Sequence, residues 1–278
     1  MTIWSRALAL AAGIAVLAAA AATSGIARAD AIDDIRKRGK LVVGVKTDYA
    51  PYGFLGADGR IAGLEPDLAG DVAAVLGVNL ELVPVVASDR LQLLEDGRID
   101  LIIATMADRE ERREAVLVVD PGYYASGANI LTRGPFQRWE NLKGEPVCGI
   151  QGAFANRSAA DEFGAEIVAF KGTAEALTAL RQNRCVAFVY EDSFIVARLA
   201  EPDWQGWKMP LPSLDEAPWG LAVRKGEAAF AALLSGMVVK WHLSGRILEL
   251  ERQYGLQPTA YATRLHELFS GLSPAAER

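Results

Sequence analysis

One short stretch places an arginine where it can bind an anion. Leu101 to Ala104 is a continuous apolar run, typical of a strand buried on both faces of a parallel sheet. Ligands collect at the carboxyl ends of such strands, where Thr105 and Met106 lie and Arg112 follows. A guanidinium group holds a carboxylate through two parallel hydrogen bonds. Arg112 is therefore a candidate carboxylate ligand, unless it only belongs to the solvated charge run at 109–113.

Two carboxylates follow a second apolar strand. Glu191 and Asp192 come directly after the run Ala187 to Tyr190, again at a strand's carboxyl end. A carboxylate at this place can hold the ammonium group of a ligand, and Glu191 is the first candidate with Asp192 as an alternative. A purely structural role also stays open, because Asp192 and Ser193 are both good N-cap residues for a following helix.

Three aromatic rings lie in a loop after the first predicted strand. Tyr49, Tyr52 and Phe54 are spaced by three and two residues among Pro and Gly, a spacing that fits no single amphipathic element. Such rings favour the lining of a surface depression. Tyr49 is the main candidate for ligand contact, and Tyr52 is included in the candidate site, although it can equally pack the loop with Phe54.

The elements that must position these residues alternate between strand and helix, which is typical of parallel α/β sheets. The predicted strands cover residues 41–45, 80–85, 101–104, 128–131, 147–150, 166–170, 185–190 and 219–225, and the predicted helices cover 33–38, 66–76, 90–96, 155–163, 173–182, 227–242 and 245–254. The alternation restarts after residue 132, and the strand at 219–225 returns to the first unit. We therefore predict two doubly wound lobes joined by a two-strand hinge, with lobe 1 at 30–131 and 219–278 and lobe 2 at 132–218.

Residues 1–29 have the pattern of a cleaved secretory signal peptide. Arg6 precedes an apolar core from Ala7 to Ala22, and a small-x-small site ends at Ala29. The core is short for a membrane anchor, so we expect a soluble protein exported to the periplasm. Without Arg6 and Arg28 the formal charge changes from −6 to −8. An acidic chain without a basic cluster argues against a nucleic-acid partner.

Cys148 and Cys185 are the two cysteines, and an even count in an exported chain favours one disulfide. Each precedes or opens an apolar strand, and these strands become neighbours in a doubly wound sheet of order 2-1-3. Two buried free thiols are the alternative. Two distant cysteines and two distant histidines do not give the spacing of a metal site, and we expect no cofactor. No phosphate loop, nucleophile elbow or zinc-protease motif stands out, so we do not expect an enzyme.

Several of these segments resemble family 3 periplasmic solute-binding proteins, the receptors of polar amino-acid ABC transporters. The resemblance rests on Glu111-Arg112 after the buried strand, on Asp120-Pro121 with Tyr123-Tyr124 downstream, and on the Gly220 to Lys225 return strand. It extends over about residues 40–254. It implies the type II periplasmic binding fold, an ABC permease as partner, and a monomer.

The resemblance also implies roles for single residues. Arg112 would hold the α-carboxylate of the ligand, Tyr49 would stack on its side chain, and Glu191 would replace the aspartate that binds the α-ammonium. Gln151 and Phe154 lie where the family has a further ligand loop. The sequence departs from the family pattern at Ala107 and at 152–154, where hydroxyl groups are missing.

These features predict a periplasmic receptor that captures an amino acid or a related zwitterion by hinge closure. Two alternatives stay open. A periplasmic dehydratase resembling cyclohexadienyl dehydratase would use Glu191 as a general acid, and a soluble sensor would pass its closed state to a membrane kinase.

Overall fold

The computed structural model describes residues 31–272, so the predicted signal peptide lies outside the described residues. The strands are β1 (Lys40–Val45), β2 (Asp48–Tyr49), β3 (Gly53–Leu55), β4 (Ile61–Ala62), β5 (Asn79–Pro84), β6 (Leu101–Ile102), β7 (Leu117–Val118), β8 (Tyr124–Thr132), β9 (Pro146–Ile150), β10 (Glu166–Phe170), β11 (Ala187–Glu191), β12 (Leu214–Trp219) and β13 (Ala222–Val223). The α-helices are α1 (Ala31–Arg38), α2 (Leu64–Leu76), α3 (Arg90–Glu95), α4 (Glu110–Ala115), α5 (Ala155–Arg157, continued by a π-helical turn at Ser158–Glu162), α6 (Thr173–Arg181), α7 (Asp192–Leu199), α8 (Ala228–Ser244), α9 (Arg246–Gln253) and α10 (Ala260–Leu272). Single 3₁₀ turns lie at Trp139–Leu142 and Pro202–Trp204.

Two five-stranded sheets form the cores of two lobes. We define lobe 1 by the sheet of order β5-β1-β6-β13-β7 and lobe 2 by the sheet of order β10-β9-β11-β8-β12. In each sheet the first three strands are parallel, and the fourth strand, β13 or β8, is antiparallel to both of its neighbours. A small antiparallel sheet, β2-β3-β4, lies beside the end of β1. The predicted two-lobed α/β fold is confirmed.

The chain passes between the lobes twice, once between β7 and β8 and once between β12 and β13. The two crossings are hydrogen-bonded to each other: the Val119 amide donates to the Leu221 carbonyl at 2.9 Å, and the Tyr123 amide donates to the Trp219 carbonyl at 2.9 Å. Trp219 is fully buried. The hinge is thus a short paired ribbon that limits how the lobes can move.

Helix α2 shows why the local sequence folds as it does. Leu68, Val72 and Leu76 recur at helical spacing and are buried against the sheet of lobe 1. Val75 lies in the last turn at the edge of this stripe and is 53% exposed. Gly77 ends the helix in the left-handed conformation, with a φ of 71°, which favours glycine.

The position of β8 corrects the predicted lobe boundary. Sequence analysis assigned residues up to 131 to lobe 1, but β8 pairs with β11 and β12 in the sheet of lobe 2. All nine residues of β8 are buried, and a strand buried on both faces has the same apolar pattern in either sheet. The sequence analysis also missed β12, the small sheet and α10.

The disulfide between Cys148 and Cys185 is present, with a Cα–Cα distance of 5.5 Å. Strand β9 pairs with β11 in parallel, which brings Cys148 opposite Phe188 and next to the loop that carries Cys185. The bond therefore joins neighbouring strands, as the 2-1-3 order predicts. Within residues 31–272, no helix is both long enough and apolar enough to cross a membrane.

Candidate ligand-binding cleft

The two lobes are closed on each other. Asp48 at the start of β2 in lobe 1 accepts a hydrogen bond from the Thr173 amide at the start of α6 in lobe 2, at 3.1 Å, and its carbonyl accepts one from the Thr173 hydroxyl at 2.9 Å. Nearer the mouth of the cleft, Arg157 of lobe 2 and Glu111 of lobe 1 form an ion pair at 3.2 Å. Side chains between these contacts face the opposite lobe and form the candidate site.

Arg112 crosses the cleft. Its Nη1 donates to the Ala107 carbonyl at 2.5 Å, and its Nη2 donates to the Gly152 carbonyl of lobe 2 at 3.1 Å. The side chain is buried, and burial lowers the pKa of Arg112 to about 9, with the nearby Arg90 charge acting in the same direction. A guanidinium has five N–H donors, so further donors remain for a ligand carboxylate.

Two further cations of lobe 1 lie buried in the cleft, and sequence analysis missed both. Lys46 follows β1, has no exposed side-chain surface and forms an ion pair with Asp48 at 2.7 Å. Arg90 begins α3, donates to the Ala104 carbonyl and leaves its buried Nε without an acceptor among the described residues. Burial lowers the pKa of Arg90. Lys46 comes after the carboxyl end of β1, and Arg90 comes after the carboxyl end of β5. Arg112 was identified by the same kind of position, after the carboxyl end of a buried strand.

Glu191 is the buried carboxyl group that faces these cations from lobe 2. Burial raises the pKa of Glu191 to about 7, while the charges of Arg90, Lys46 and Arg112 act to lower it. Its Oε2 has no hydrogen-bond donor within the described part of the chain. A buried carboxyl oxygen without a donor is costly, so a ligand that supplies a donor here gains binding energy.

A second buried carboxyl group, that of Glu65, fixes the loop after β6 in lobe 1. Glu65 in the first turn of α2 accepts hydrogen bonds from the Thr105 amide at 2.5 Å and from the Tyr123 hydroxyl. Thr105 has a φ of 44°, an unusual backbone conformation for a threonine. Burial raises the pKa of Glu65 to about 7. Glu65 therefore joins α2, the loop after β6 and the hinge.

The Tyr49 ring lies at the centre of an aromatic cluster between the lobes. It contacts Tyr52 and Trp219 edge-on at centroid distances of 5.4 and 5.9 Å, and Phe194 of lobe 2 at 5.0 Å. Its hydroxyl shares a hydrogen bond of 2.7 Å with Ser193 of lobe 2. Tyr49 is fully buried in this closed state, so its contact with a ligand stays a prediction.

A cavity of about 620 Å³ opens beside Arg112 at the mouth of the cleft. Arg112, Gly152 and Phe154 line it together with Ser88 of the loop after β5. The guanidinium carbon of Arg109 lies over the face of the Phe154 ring, 4.6 Å from the ring centroid. Arg112 of lobe 1 and Phe154 of lobe 2 thus line the same cavity.

Gly152 is the point where the lobes approach most tightly in this loop. Its φ is 77°, and a Cβ on it would lie 2.8 Å from the Ala87 carbonyl oxygen of lobe 1. Any side chain here would keep the two loops apart. Closure around Arg112 therefore depends on glycine at this position.

Three predicted site residues have other surroundings. Met106 is buried in a hydrophobic cluster of lobe 1 with Val85 and Ile102, because it points back into the sheet. Gln151 is exposed. Asp192 accepts hydrogen bonds from Ser126 and Gly127 of the β8 strand, so it turns away from Glu191, as successive residues at a strand end do.

Tyr52 also lies away from the charged groups. Its hydroxyl donates to the Tyr124 hydroxyl at 3.0 Å, which in turn donates to Glu251 at 2.9 Å. This network connects Tyr52 and Glu251 of lobe 1 through Tyr124, the first residue of β8. In the described range 31–272, no group of acidic, histidine or cysteine residues is placed to hold a metal ion.

Known proteins share both the sequence pattern and this fold. The model of the bacterial extracellular solute-binding proteins, family 3, matches residues 41–257. The ABC transporter glutamine-binding protein GlnH of Bacillus subtilis is 30% identical over 233 residues, which cover 81% of this chain and 84% of that protein. The glutamate/aspartate import solute-binding protein of Escherichia coli is 23% identical over 256 residues, covering 86% of this chain and 82% of that protein.

Among solved structures, a mutant of ArgBP from T. maritima matches with a TM-score of 0.76 and 28% identity, covering 81% of this chain and 98% of that chain. The family match extends over both lobes and includes Lys46, Arg90, Arg112 and Glu191. This chain belongs to the bacterial extracellular solute-binding proteins of family 3.

Proposed function

We propose that this solute-binding protein captures an amino acid with an acidic side chain and presents its closed form to a membrane ABC permease. One observation carries the proposal: lobe 1 buries the three cations Lys46, Arg90 and Arg112, and the charges of all three act on the buried carboxyl group of Glu191 from lobe 2. Buried charges are rarely left unpaired, so this excess of cations favours a ligand with more than one carboxylate.

The charge balance of the cleft supports this ligand class. Asp48 offsets Lys46 in an ion pair. Glu65 and Glu191 have pKa values of about 7 and are each only partly ionised at neutral pH. The cleft therefore keeps a net charge of about +1 near pH 7. An acidic amino acid, with two carboxylates and one ammonium group, neutralises it.

Each part of such a ligand has a matching group. Arg112 takes the α-carboxylate, and Glu191 takes the α-ammonium at its free Oε2. Arg90 and Lys46 take the side-chain carboxylate, because Arg90 has an unused buried Nε and Lys46 is held nearby by Asp48. Each contact with a charged partner contributes roughly 1.5–3 kcal/mol.

Related proteins support an amino-acid ligand without agreeing on which one. The relatives include proteins named for the binding of glutamine, of glutamate and aspartate, and of arginine. The glutamate/aspartate proteins match the charge argument. The ABC transporter partner is supported by the GlnH relative, and the leader pattern at 1–29 supports a periplasmic location.

Capture follows from the division of the site between the lobes. A ligand bound by Arg112 alone leaves its ammonium group unpaired, and a ligand bound by Glu191 alone leaves its carboxylates unpaired. Only the closed state makes both sets of contacts, so the ligand shifts the protein toward closure. A permease that recognises the closed form then receives loaded protein.

The test is calorimetry with L-glutamate, L-aspartate, L-glutamine and L-arginine. We expect the two acidic amino acids to bind at least about tenfold more tightly than glutamine, a difference of about 1.4 kcal/mol. Arg90→Gln should remove this preference while keeping binding of glutamine. Arg98→Gln, a change of an exposed arginine close in sequence, is the matched control and should change neither affinity.

Tighter binding of L-arginine than of L-glutamate by the parent protein would contradict the acidic ligand class. So would an unchanged preference in Arg90→Gln, provided that the variant unfolds at the temperature of the parent. Because Arg90 also donates to the Ala104 carbonyl, thermal unfolding must accompany each titration.

A catalytic role is the second candidate, and the state of Glu191 is the observation that favours it. A buried carboxyl group with a pKa of about 7 holds a proton that it can donate at neutral pH. Glu191→Gln separates the two roles. In a receptor it weakens ligand binding and the ligand is recovered unchanged. In a dehydratase it leaves substrate affinity intact and abolishes product formation measured by chromatography.

A further inference from the structure

A second cavity lies at the hinge, outside the groups assigned to the cleft. It has a volume of about 550 Å³ and opens between the start of β8, helix α7 of lobe 2, and residues 255–261 that lead into α10 of lobe 1. This volume is within the usual range for small-molecule sites. Residues 258–272 lie beyond the family match, so part of the wall belongs to this chain's own C-terminal segment.

The charges in the cavity wall are all negative. Asp192 and Glu216 line it, and none of its described lining residues is Lys, Arg or His. Glu216 is paired with Arg264 at 3.3 Å. Asp192 uses Oδ1 to accept hydrogen bonds from the Ser126 hydroxyl at 2.6 Å and the Gly127 amide at 3.1 Å. Its Oδ2 accepts none from residues 31–272 and remains free for a ligand.

Aromatic and apolar groups make up the rest of the wall. Tyr52, Tyr124 and Tyr261 line the cavity together with Met209 and Val196. The three hydroxyl groups are already engaged, with Tyr124, Glu251 and the Gly122 carbonyl respectively. The Tyr52 and Tyr124 rings are buried, and the Tyr261 ring lies under the guanidinium of Arg264. The apolar surface that meets an occupant therefore comes from Val196 and Met209, and an apolar wall beside a carboxylate suits an organic ammonium ion.

A chain of hydroxyl groups connects this cavity with the cleft. The Tyr49 hydroxyl is 2.7 Å from Ser193 Oγ, which is 2.8 Å from Ser126 Oγ, and Ser126 donates to Asp192. Tyr49 belongs to lobe 1, whereas Ser126 lies on β8 and Asp192 begins α7. Asp192 is therefore oriented by contacts that depend on the relative position of the lobes.

We propose that the hinge cavity is a second ligand site, which binds a small organic ammonium ion with its charge on Asp192 and its apolar part against Val196 and Met209. The site takes a different class of ligand from the cleft, because the charged residues that line it are acidic whereas the cleft carries buried cations. Since its walls come from both lobes and the hinge, an occupant has differential affinity for open and closed states and is coupled to solute binding.

The experiment uses phenethylammonium chloride as the probe and sodium phenylacetate as its anionic counterpart, titrated by calorimetry at low salt into the full exported protein. We expect phenethylammonium to bind with a dissociation constant below about 1 mM, and phenylacetate not to bind at the hinge. Asp192→Asn should weaken phenethylammonium binding at least about tenfold. Arg112→Ala, which disables the cleft, should still bind phenethylammonium.

A second pair of variants avoids the structural contacts of Asp192. Val196 lines the cavity and is 53% exposed, and Val75 on α2 is also 53% exposed but does not line it. Val196→Lys should weaken phenethylammonium binding by repulsion, and Val75→Lys should not. Equal binding to Val196→Lys and Val75→Lys, no binding of phenethylammonium to the parent up to about 10 mM, or loss of binding in Arg112→Ala would overturn the proposal.

Discussion

The two lobes have similar sheets but contribute differently to the cleft. Lobe 1 provides Lys46, Arg90 and Arg112, whereas lobe 2 provides Glu191 and the Gly152 carbonyl. The cations of lobe 1 follow three different strands, while the acceptors of lobe 2 follow two. In the proposed mechanism a solute bridges these unlike surfaces, and closure is favourable because lobe 1 supplies cations and lobe 2 supplies a carboxyl group.

The lobes also differ in how they are stabilised. Lobe 2 carries the Cys148–Cys185 disulfide between neighbouring strands, and both cysteines of the chain are used there. Lobe 1 has no disulfide and is instead covered by helices from distant parts of the chain: α8 packs on α1 and β13, and α9 and α10 pack on α8. We therefore expect loss of the disulfide to destabilise mainly lobe 2.

Among substitutions, the largest expected effect comes from removing this disulfide. The bond closes a loop with a sequence separation of 37, and replacing both cysteines by alanine should lower the free energy of unfolding by about 4 kcal/mol. Urea unfolding measures the loss, and hydrogen exchange locates it. Equal loss of protection in the strands of both lobes would show that the lobes do not differ in this way.

Arg112→Ala should have the next largest effect, now on the cleft. Truncation removes the guanidinium that is proposed to bind the ligand carboxylate, and it removes the hydrogen bond to the Gly152 carbonyl. The binding free energy of the amino acid should therefore weaken by about 2–4 kcal/mol. Arg113→Ala is the control, because Arg113 pairs with Asp108 and Asp120 outside the cleft. Calorimetric affinity within threefold of the parent would place the carboxylate elsewhere.

The pH dependence of stability tests whether the carboxyl groups are buried as described. In the unfolded chain a glutamate ionises near pH 4.3, but in the folded, ligand-free protein Glu65 and Glu191 hold their protons up to about pH 7. The folded state therefore binds more protons between these pH values. Its free energy of unfolding should fall as the pH rises through this interval, by up to about 1.4 kcal/mol per pH unit for each group.

Glu191→Gln sharpens this prediction, because it removes the contribution of one of the two groups. The slope of stability against pH should become about half as steep in the variant, as measured by urea unfolding at pH 5, 6 and 7. An unchanged slope would mean that Glu191 ionises in the folded protein as it does in the unfolded chain.

The smallest expected effect concerns the contact between the lobes at Gly152. Gly152→Ala adds a Cβ that meets the Ala87 carbonyl and hinders closure, so ligand affinity should fall by about 1 kcal/mol or more. Gly77→Ala has nearly the same φ but open space around it. Both variants should lose similar stability, and only Gly152→Ala should lose affinity. Equal affinities would show that the closed state tolerates separation of these loops.

The sequence by itself determined the alternation of strands and helices and predicted several of the polar residues that the structure places in the cleft. Arg112 and Glu191 were identifiable because both lie past the carboxyl ends of buried apolar strands. The disulfide was predictable because neighbouring strands of a doubly wound sheet carry the two cysteines. These inferences depend on periodicity and strand order, which are local or topological properties of the chain.

Only the tertiary structure decided the direction of the side chains and the partners they meet. Glu191 and Asp192 are adjacent in sequence, yet one faces buried cations and the other the hinge cavity. Lys46 and Arg90 resemble ordinary surface charges in the sequence, but the closed lobes bury both. Burial and electrostatic surroundings depend on residues that are distant in sequence, because the cleft exists only where two separately folded sheets meet.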